Sequence, residues 1–396
     1  MNKKIKKIIA ADIALYIAGM GTFLTFHYIV PYSMDSGTVI TDSQTAEKFS
    51  LPDETDKKTD DMPSLAGAVF ADKDSAEKKI PPEDFSGDLP GNFPEFNFDG
   101  SEHKRNLPDE EGTEHKKHSA GKHGGGFADN NETSEISSDK SPTAIETASS
   151  EIIASERTDT ADITVKKCIC GSGEDTVTYY LADIYVTSAD EIKTAFADGR
   201  YGKNIRAGVD ETAEENGAII AISGDYYGNS EDGVVIRNGV LYRNNPTNAD
   251  VCVLFSDGSM KTYSPDDFDA DKVISEGAWQ AWTFGPALLD ENGNIPDTFN
   301  TNSYIYGNNP RCAIGMISPG HYVFVVVDGR DKGYSRGVDL SELSAIMRDA
   351  GCICAYNLDG GNSSAMYFGD GFISSPSGGG RDISDIVYIG QRSEIS

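Results

Sequence analysis

The chain of 396 residues carries 64 acids against 34 Lys and Arg, a formal net charge of −30, with 38% hydrophobic residues. That balance argues against a nucleic-acid partner, because binding to DNA or RNA draws its affinity from Lys and Arg that neutralise phosphates. Apolar residues are unevenly spread, so the folded part is shorter than the chain.

Lys3, Lys4, Lys6 and Lys7 precede a largely apolar run from Ile8 to Val30, interrupted by Asp12 and closed by Pro31. About twenty such residues span a hydrocarbon core, and flanking lysines keep the amino end in the cytoplasm. Residues 1–32 are therefore expected to form an uncleaved membrane anchor, a cleaved signal peptide being the competing reading. Residues 33–160 hold 29 acids and 13 bases without a sustained period. This predicts a disordered acidic linker that cannot bury enough apolar surface to offset its ordering entropy. As a flexible coil it would span about 60 Å. The histidines at 115, 118 and 123 read as part of a solvated charge run rather than as a metal site.

Periodicity begins near residue 161. Val177 to Val186 reads as a strand, Ala189 to Phe196 as a short helix after Ser188, and Ala218 to Ile222 as a buried strand. Val234 to Tyr242 reads as a hairpin turning at Asn238-Gly239. Further hairpin-like units turn at Ser256-Asp257-Gly258 and at Glu291 to Asn294. Arg311 to Ile317 pairs with Tyr322 to Val327 across Pro319-Gly320. Asp339 and Glu342 have capping-box spacing ahead of Leu343, Ile346 and Met347, with Gly351 as the C-terminal stop. Ile353 to Leu358 and Ile386 to Ile389 complete an α+β domain over residues 161–396, with several short, mostly antiparallel strands and a few packed helices.

Three apolar strands run into polar, glycine-containing turns: Gly224-Asp225, Asp328-Gly329-Arg330, and Asp359-Gly360-Gly361-Asn362-Ser363-Ser364. Glycines let backbone approach a ligand, and successive N–H groups form anion-binding nests. A second glycine run ends in Arg381, and Arg311 opens a strand. The six cysteines, Cys168, Cys170, Cys252, Cys312, Cys352 and Cys354, lack zinc-site spacing and read as disulfides or buried thiols. His321, the one histidine beyond residue 160, falls in a turn, which argues against a Ser-His-Asp triad. Among the aromatics, Tyr226 and Tyr227 beside Asp225 are the better candidates for a sugar-stacking platform, ahead of Trp279, Trp282 and Tyr334.

The run Asn357-Leu358-Asp359-Gly360-Gly361-Asn362-Ser363-Ser364, followed by Gly369-Asp370-Gly371 and by Pro376-Ser377-Gly378-Gly379-Gly380-Arg381, resembles the signature of the phosphodiester glycosidase family. Gly224-Asp225-Tyr226-Tyr227, Phe284-Gly285-Pro286, Pro310-Arg311 and Val327-Asp328-Gly329-Arg330 extend the resemblance over about residues 176–391. Asn362 stands where a third glycine is usual, and Ser223 where the family has Asn. The resemblance implies hydrolysis of a sugar–phosphate diester on its glycosidic side. Asp359 is then the leading catalytic carboxylate, with Asp328 or Asp225 as the second. Arg311, Arg330 and Arg381 would stabilise the leaving phosphate, and Asn357, Gly360, Gly361, Asn362, Ser363 and Ser364 would line its site. No cofactor is expected. Two other readings use the same residues: a carbohydrate- or phosphate-binding module without catalysis, and a phosphodiesterase holding Ca²⁺ or Mg²⁺ through the three aspartates. With the anchor, the reading is a single-pass bacterial plasma-membrane protein whose extracytoplasmic head acts on a glycosyl-phosphate polymer of the envelope or an exopolysaccharide.

Overall fold

The computed structural model describes residues 32–34, 37–43, 46–52, 147–301 and 303–390, with isolated residues 16 and 20. Nearly all of the expected anchor, and the histidine-containing patch, lie outside these residues. Among the described residues, no helix is long and apolar enough to cross a membrane.

Three antiparallel sheets organise the domain. The first runs in the order Cys354–Leu358, Arg311–Ser318, His321–Val327, Val177–Val186, Ala161–Cys170 and Thr147–Arg157. The second centres on Val251–Phe255, Ala278–Trp282 and Val234–Arg237, and the third on Ala218–Ser223 between Met366–Phe368 and Asp385–Gly390. One face of each sheet feeds a common core that includes Ile184, Phe324, Trp282, Ile220 and Val387. The opposite face of the first sheet is covered by the helix Leu340–Asp349 through Leu343, Ile346 and Met347 against Val323 and Val325. Strand His321–Val327 is thus buried on both sides, which is why its sequence is a continuous apolar run rather than an alternating one. Asp339 caps the helix, its side chain accepting from Glu342 N at 2.8 Å while Glu342 Oε2 accepts from Asp339 N.

Most predicted strands are present at nearly the expected bounds, and two expectations change. Residues 189–196 are not a helix: a single 3₁₀ turn, Ala189–Glu191, leads into the strand Lys193–Phe196, which pairs with Asp385–Tyr388. Cross-strand pairing overrides the local helical signal there. The turn near Glu291 forms, with Asp290 N donating to Asn294 O at 2.8 Å, but no strands flank it. All six cysteines are buried free thiols.

The linker boundaries also move. Thr147–Arg157 is a strand on the edge of the first sheet, antiparallel to Ala161–Cys170. Upstream, Tyr32–Ser33 pairs with Gly202–Lys203, Thr38–Val39 with Val240–Leu241, and Phe49 N donates to Thr187 O at 2.7 Å. Arg157 Nη2 donates to Pro52 O at 2.9 Å, which places residue 52 beside the strand Thr147–Arg157. Residues 32–34, 37–43, 46–52 and 147–160 thus belong to the folded domain rather than to a linker.

Candidate active site

Strands His321–Val327 and Cys354–Leu358 both run antiparallel to Arg311–Ser318, which lies between them, with Arg311 opposite Val327 and Cys312 opposite Leu358. Asp328 and Asp359 therefore leave the same end of the sheet, about 10 Å apart at the backbone by two interstrand spacings. Ala218–Ser223 reaches the same place from the third sheet. Asp359 N donates to Gly224 O at 3.0 Å and Ser223 Oγ donates to Asp359 O at 2.8 Å. Ser223, one of the two departures from the family pattern, thus pins the backbone of the leading catalytic candidate. The three polar turns converge as the sequence implied, but their carboxylates have different surroundings.

Asp359 is buried and faces Arg381, whose Nη2 donates to Oδ2 at 2.9 Å and to Oδ1 at 3.1 Å. The same guanidinium donates to Ser363 Oγ at 2.7 and 3.0 Å and lies over the Tyr226 ring, 5.1 Å from its centroid. Burial raises the Asp359 pKa and Arg381 pulls it back. The Arg381 side chain keeps 41% of its surface exposed, so this cation is reachable by an incoming anion.

Asp328 is also buried, but no guanidinium faces it. Its Oδ2 accepts from Tyr334 OH at 2.8 Å and its Oδ1 from Ser375 N at 2.9 Å. Burial pushes its pKa up to about 6 against these hydrogen bonds. Ser375 and Arg381 stand on the same glycine-rich loop, which therefore ties the two acids together.

Arg330 is exposed and left-handed, with φ of 60°, a conformation that costs a non-glycine residue about 1 kcal/mol. It is held there by Asn362 Oδ1 at 2.7 Å and Asn309 Oδ1 at 2.9 Å. Strain kept at a cluster of this kind points to function. The turn that carries Asn362 needs both its glycines: a Cβ on Gly360 would lie 2.9 Å from Pro310 O, and Gly361 has φ of 65°. The expected backbone nest is absent at three of its positions. The N–H groups of Gly361, Ser363 and Ser364 are spent on the carbonyls of Pro310, Gly360 and Gly361. Cationic side chains, rather than these backbone donors, face the site. Ser364 Oγ is buried without a partner.

Other expected site residues serve the framework. Asp225 pairs with buried Arg237 at 2.9 Å, and its oxygens accept from Tyr227 N and Thr283 N. Arg237 also donates to Asp385 at 2.7 Å. Arg311 is buried and donates to the carbonyls of Val338, Ile305, Tyr306 and Gly307, which leaves it fixing the chain before its strand rather than meeting a phosphate. Asn357 is buried and donates to Gly285 O at 2.7 Å. Tyr227 sits in an aromatic cluster with Phe196 and Tyr201, while Trp279 and Trp282 are core, so Tyr226 alone of the proposed platform residues stands beside Arg381. The Asp225–Arg237 pair removes one of the three aspartates proposed to hold Ca²⁺ or Mg²⁺. Among the described residues no group of three or more His, Cys, Asp or Glu is placed to hold a metal. An open surface hollow lined by Asn244 and residues 266–272 contains none of the site residues.

Sequence reasoning missed Tyr180, Arg237, Asp385 and the Ser375 amide. An arginine ending the apolar run Val234-Val235-Ile236 was the one signal available for Arg237.

Two buried acids, Asp328 and Asp359, and two cations, Arg330 and Arg381, are thus gathered at one end of an antiparallel sheet. Residues 216–390 match the model of the phosphodiester glycosidase family. The chain is 28% identical over 256 residues to the SPbeta prophage-derived uncharacterized protein YomE of Bacillus subtilis strain 168, covering 59% of this chain and 39% of that protein. Among solved structures it is similar to the zebrafish N-acetylglucosamine-1-phosphodiester alpha-N-acetylglucosaminidase catalytic domain auto-inhibited by its pro-peptide, at 20% identity and a TM-score of 0.48, covering 62% of this chain and 89% of that one. A hypothetical protein from Synechocystis is similar at 13% identity and a TM-score of 0.45, covering 57% of this chain and 61% of that one.

Proposed function

We propose that the domain is an extracytoplasmic hydrolase that cleaves glycosyl phosphodiesters between the anomeric carbon and the phosphate oxygen. The observation that carries this reading is the Asp359–Arg381 pair, a buried carboxylate sharing its guanidinium with solvent, with Asp328 at the same sheet end. A departing phosphate is a weakly basic anion, so the reaction needs charge stabilisation at the phosphate more than a strong acid. Arg381 and Arg330 supply that charge, and Asp359 stabilises the oxocarbenium-like carbon. A sugar stacked on Tyr226 would lie beside both groups. The expected anchor would hold the protein at a bacterial plasma membrane, with an envelope or exopolysaccharide polymer as substrate.

The test is release of reducing sugar from an N-acetylglucosamine 1-phosphodiester by the purified full-length chain. Turnover that survives EDTA and is lost in Asp359→Asn is the expected result. Binding without turnover would instead establish a carbohydrate-binding module, and loss with EDTA a metal-dependent phosphodiesterase.

A further inference from the structure

Asp328 has one oxygen whose partner can only donate and one whose partner can do either. Ser375 N fixes Oδ1, while Oδ2 meets the Tyr334 hydroxyl at 2.8 Å, and Tyr334 in turn meets the Tyr180 hydroxyl at 3.2 Å. A hydroxyl both donates and accepts, and its hydrogen rotates to suit its neighbours. When Asp328 is ionised, Tyr180 donates to Tyr334 and Tyr334 to the carboxylate. When Asp328 is protonated on Oδ2, both bonds reverse. Both states keep the Asp328 carboxyl and the Tyr334 hydroxyl hydrogen-bonded, where an unpaired buried polar group would cost about 1–3 kcal/mol. Asp359 has no equivalent, because Arg381 can only donate and stays charged.

The pair is also rigidly placed. Thr178 Oγ1 donates to Tyr334 O at 3.0 Å, Thr178 N to Ser335 Oγ at 3.0 Å, and Ser335 Oγ to Asp328 O at 2.6 Å. Tyr180 is buried two residues along the same strand as Thr178. Lys167 lies over both rings, 5.8 Å from the Tyr180 centroid and 5.7 Å from that of Tyr334. The groups that face Asp328 are thus Tyr334 from its own turn, Ser375 N from the glycine-rich loop, and Tyr180 and Lys167 from the adjoining strands.

We propose that Tyr334 and Tyr180 are positioning residues, a two-hydroxyl relay that equips Asp328 to accept and return the proton of the attacking water. The proposal rests on the hydrolase reading above. Water oxygen bonds to the anomeric carbon, the bond from that carbon to the phosphate oxygen breaks with its electron pair going to the phosphate, and the water proton passes to Asp328 and later to solvent. Asp359 remains an anion throughout.

The test uses the full-length chain and its Tyr334→Phe and Tyr180→Phe variants, with two readouts. In the pH–rate profile, the acid limb of kcat should move to higher pH in Tyr334→Phe, and less far in Tyr180→Phe. In Tyr334→Phe kcat should fall by about tenfold to a hundredfold, with KM little changed. In substrate-free protein labelled at the aspartate carboxyl carbon, the NMR titration assigned to Asp328 by its loss in Asp328→Asn should move upward in both variants. An unmoved titration in Tyr334→Phe overturns the relay whether or not the chain hydrolyses diesters, and a kcat profile that keeps its limb and its height overturns it as well. A chain that releases no sugar refutes the hydrolase reading and with it the proton transfer in turnover, whereas the carboxyl titration still decides the hydroxyl relay.

Discussion

Arg381 holds both carboxylate oxygens of Asp359, at 2.9 and 3.1 Å, from a loop whose Ser375 amide holds Asp328. One short glycine-rich segment therefore sets the spacing and the environment of both acids. The Arg381 side chain keeps 41% of its surface exposed, so the cation that neutralises Asp359 remains reachable by an anion.

Arg381→Ala should lower turnover by about a hundredfold, as removal of one stabiliser of developing charge does elsewhere. Arg381→Lys should recover little of it, because a point charge cannot span Asp359 and Ser363 together. Steady-state kinetics on a glycosyl phosphodiester checks both, and unchanged turnover in the alanine variant would remove Arg381 from the site.

Asp359→Asn should cost about a thousandfold in turnover while leaving the fold intact, since the amide oxygen still accepts from Arg381. Circular dichroism and thermal unfolding would establish the second half of that expectation. A variant that is folded and fully active would sink the assignment of Asp359 as the stabilising carboxylate.

Stability should depend on Asp328 in a defined pH window. Its folded pKa, about 6, lies above the ordinary carboxylate value of 3.8. The native state therefore holds this proton more tightly than the unfolded chain, and the contribution is fully present below about pH 4 and lost as pH rises through about 6. Over that interval it amounts to about 3 kcal/mol. Urea denaturation at intervals from pH 4 to 7 should show a loss larger by about this amount in the wild type than in Asp328→Asn, where Asp359 and Asp385 still titrate, and parallel curves for the two would refute it.

Arg237→Ala should destabilise by about 3–5 kcal/mol, because it leaves the carboxylates of Asp225 and Asp385 buried without their cation. Burial already raises the Asp385 pKa against the pull of Arg237. Denaturation midpoints measure the effect, and a loss below 1 kcal/mol would mean that the pair is not the buried framework described above.

The sequence alone determined most of the strands from Val177–Val186 onward, the capped helix Leu340–Asp349 and the three polar turns, because each of these is written in local signals: apolar runs, Asn-Gly and Asp-Gly turns, and the Asp339–Glu342 capping box. The family signature was equally local. Which aspartate is free to react was not, since Asp225, Asp328 and Asp359 all follow a buried strand and look alike in the chain. Tertiary structure separated them by bringing Arg237 from another sheet to Asp225, Arg381 from a distant loop to Asp359, and Tyr334 with Tyr180 to Asp328. The same holds for Arg311, whose position at a strand start suggested a phosphate ligand until four backbone carbonyls were found around it. Residues 33–34, 37–43, 46–52 and 147–157 were assigned to the linker because their composition is polar, yet they are held to the domain by backbone pairing and hydrogen bonds. Hydropathy records the burial of side chains, whereas an edge strand is held by main-chain hydrogen bonds that any sequence can make, so only the folded partner reveals it.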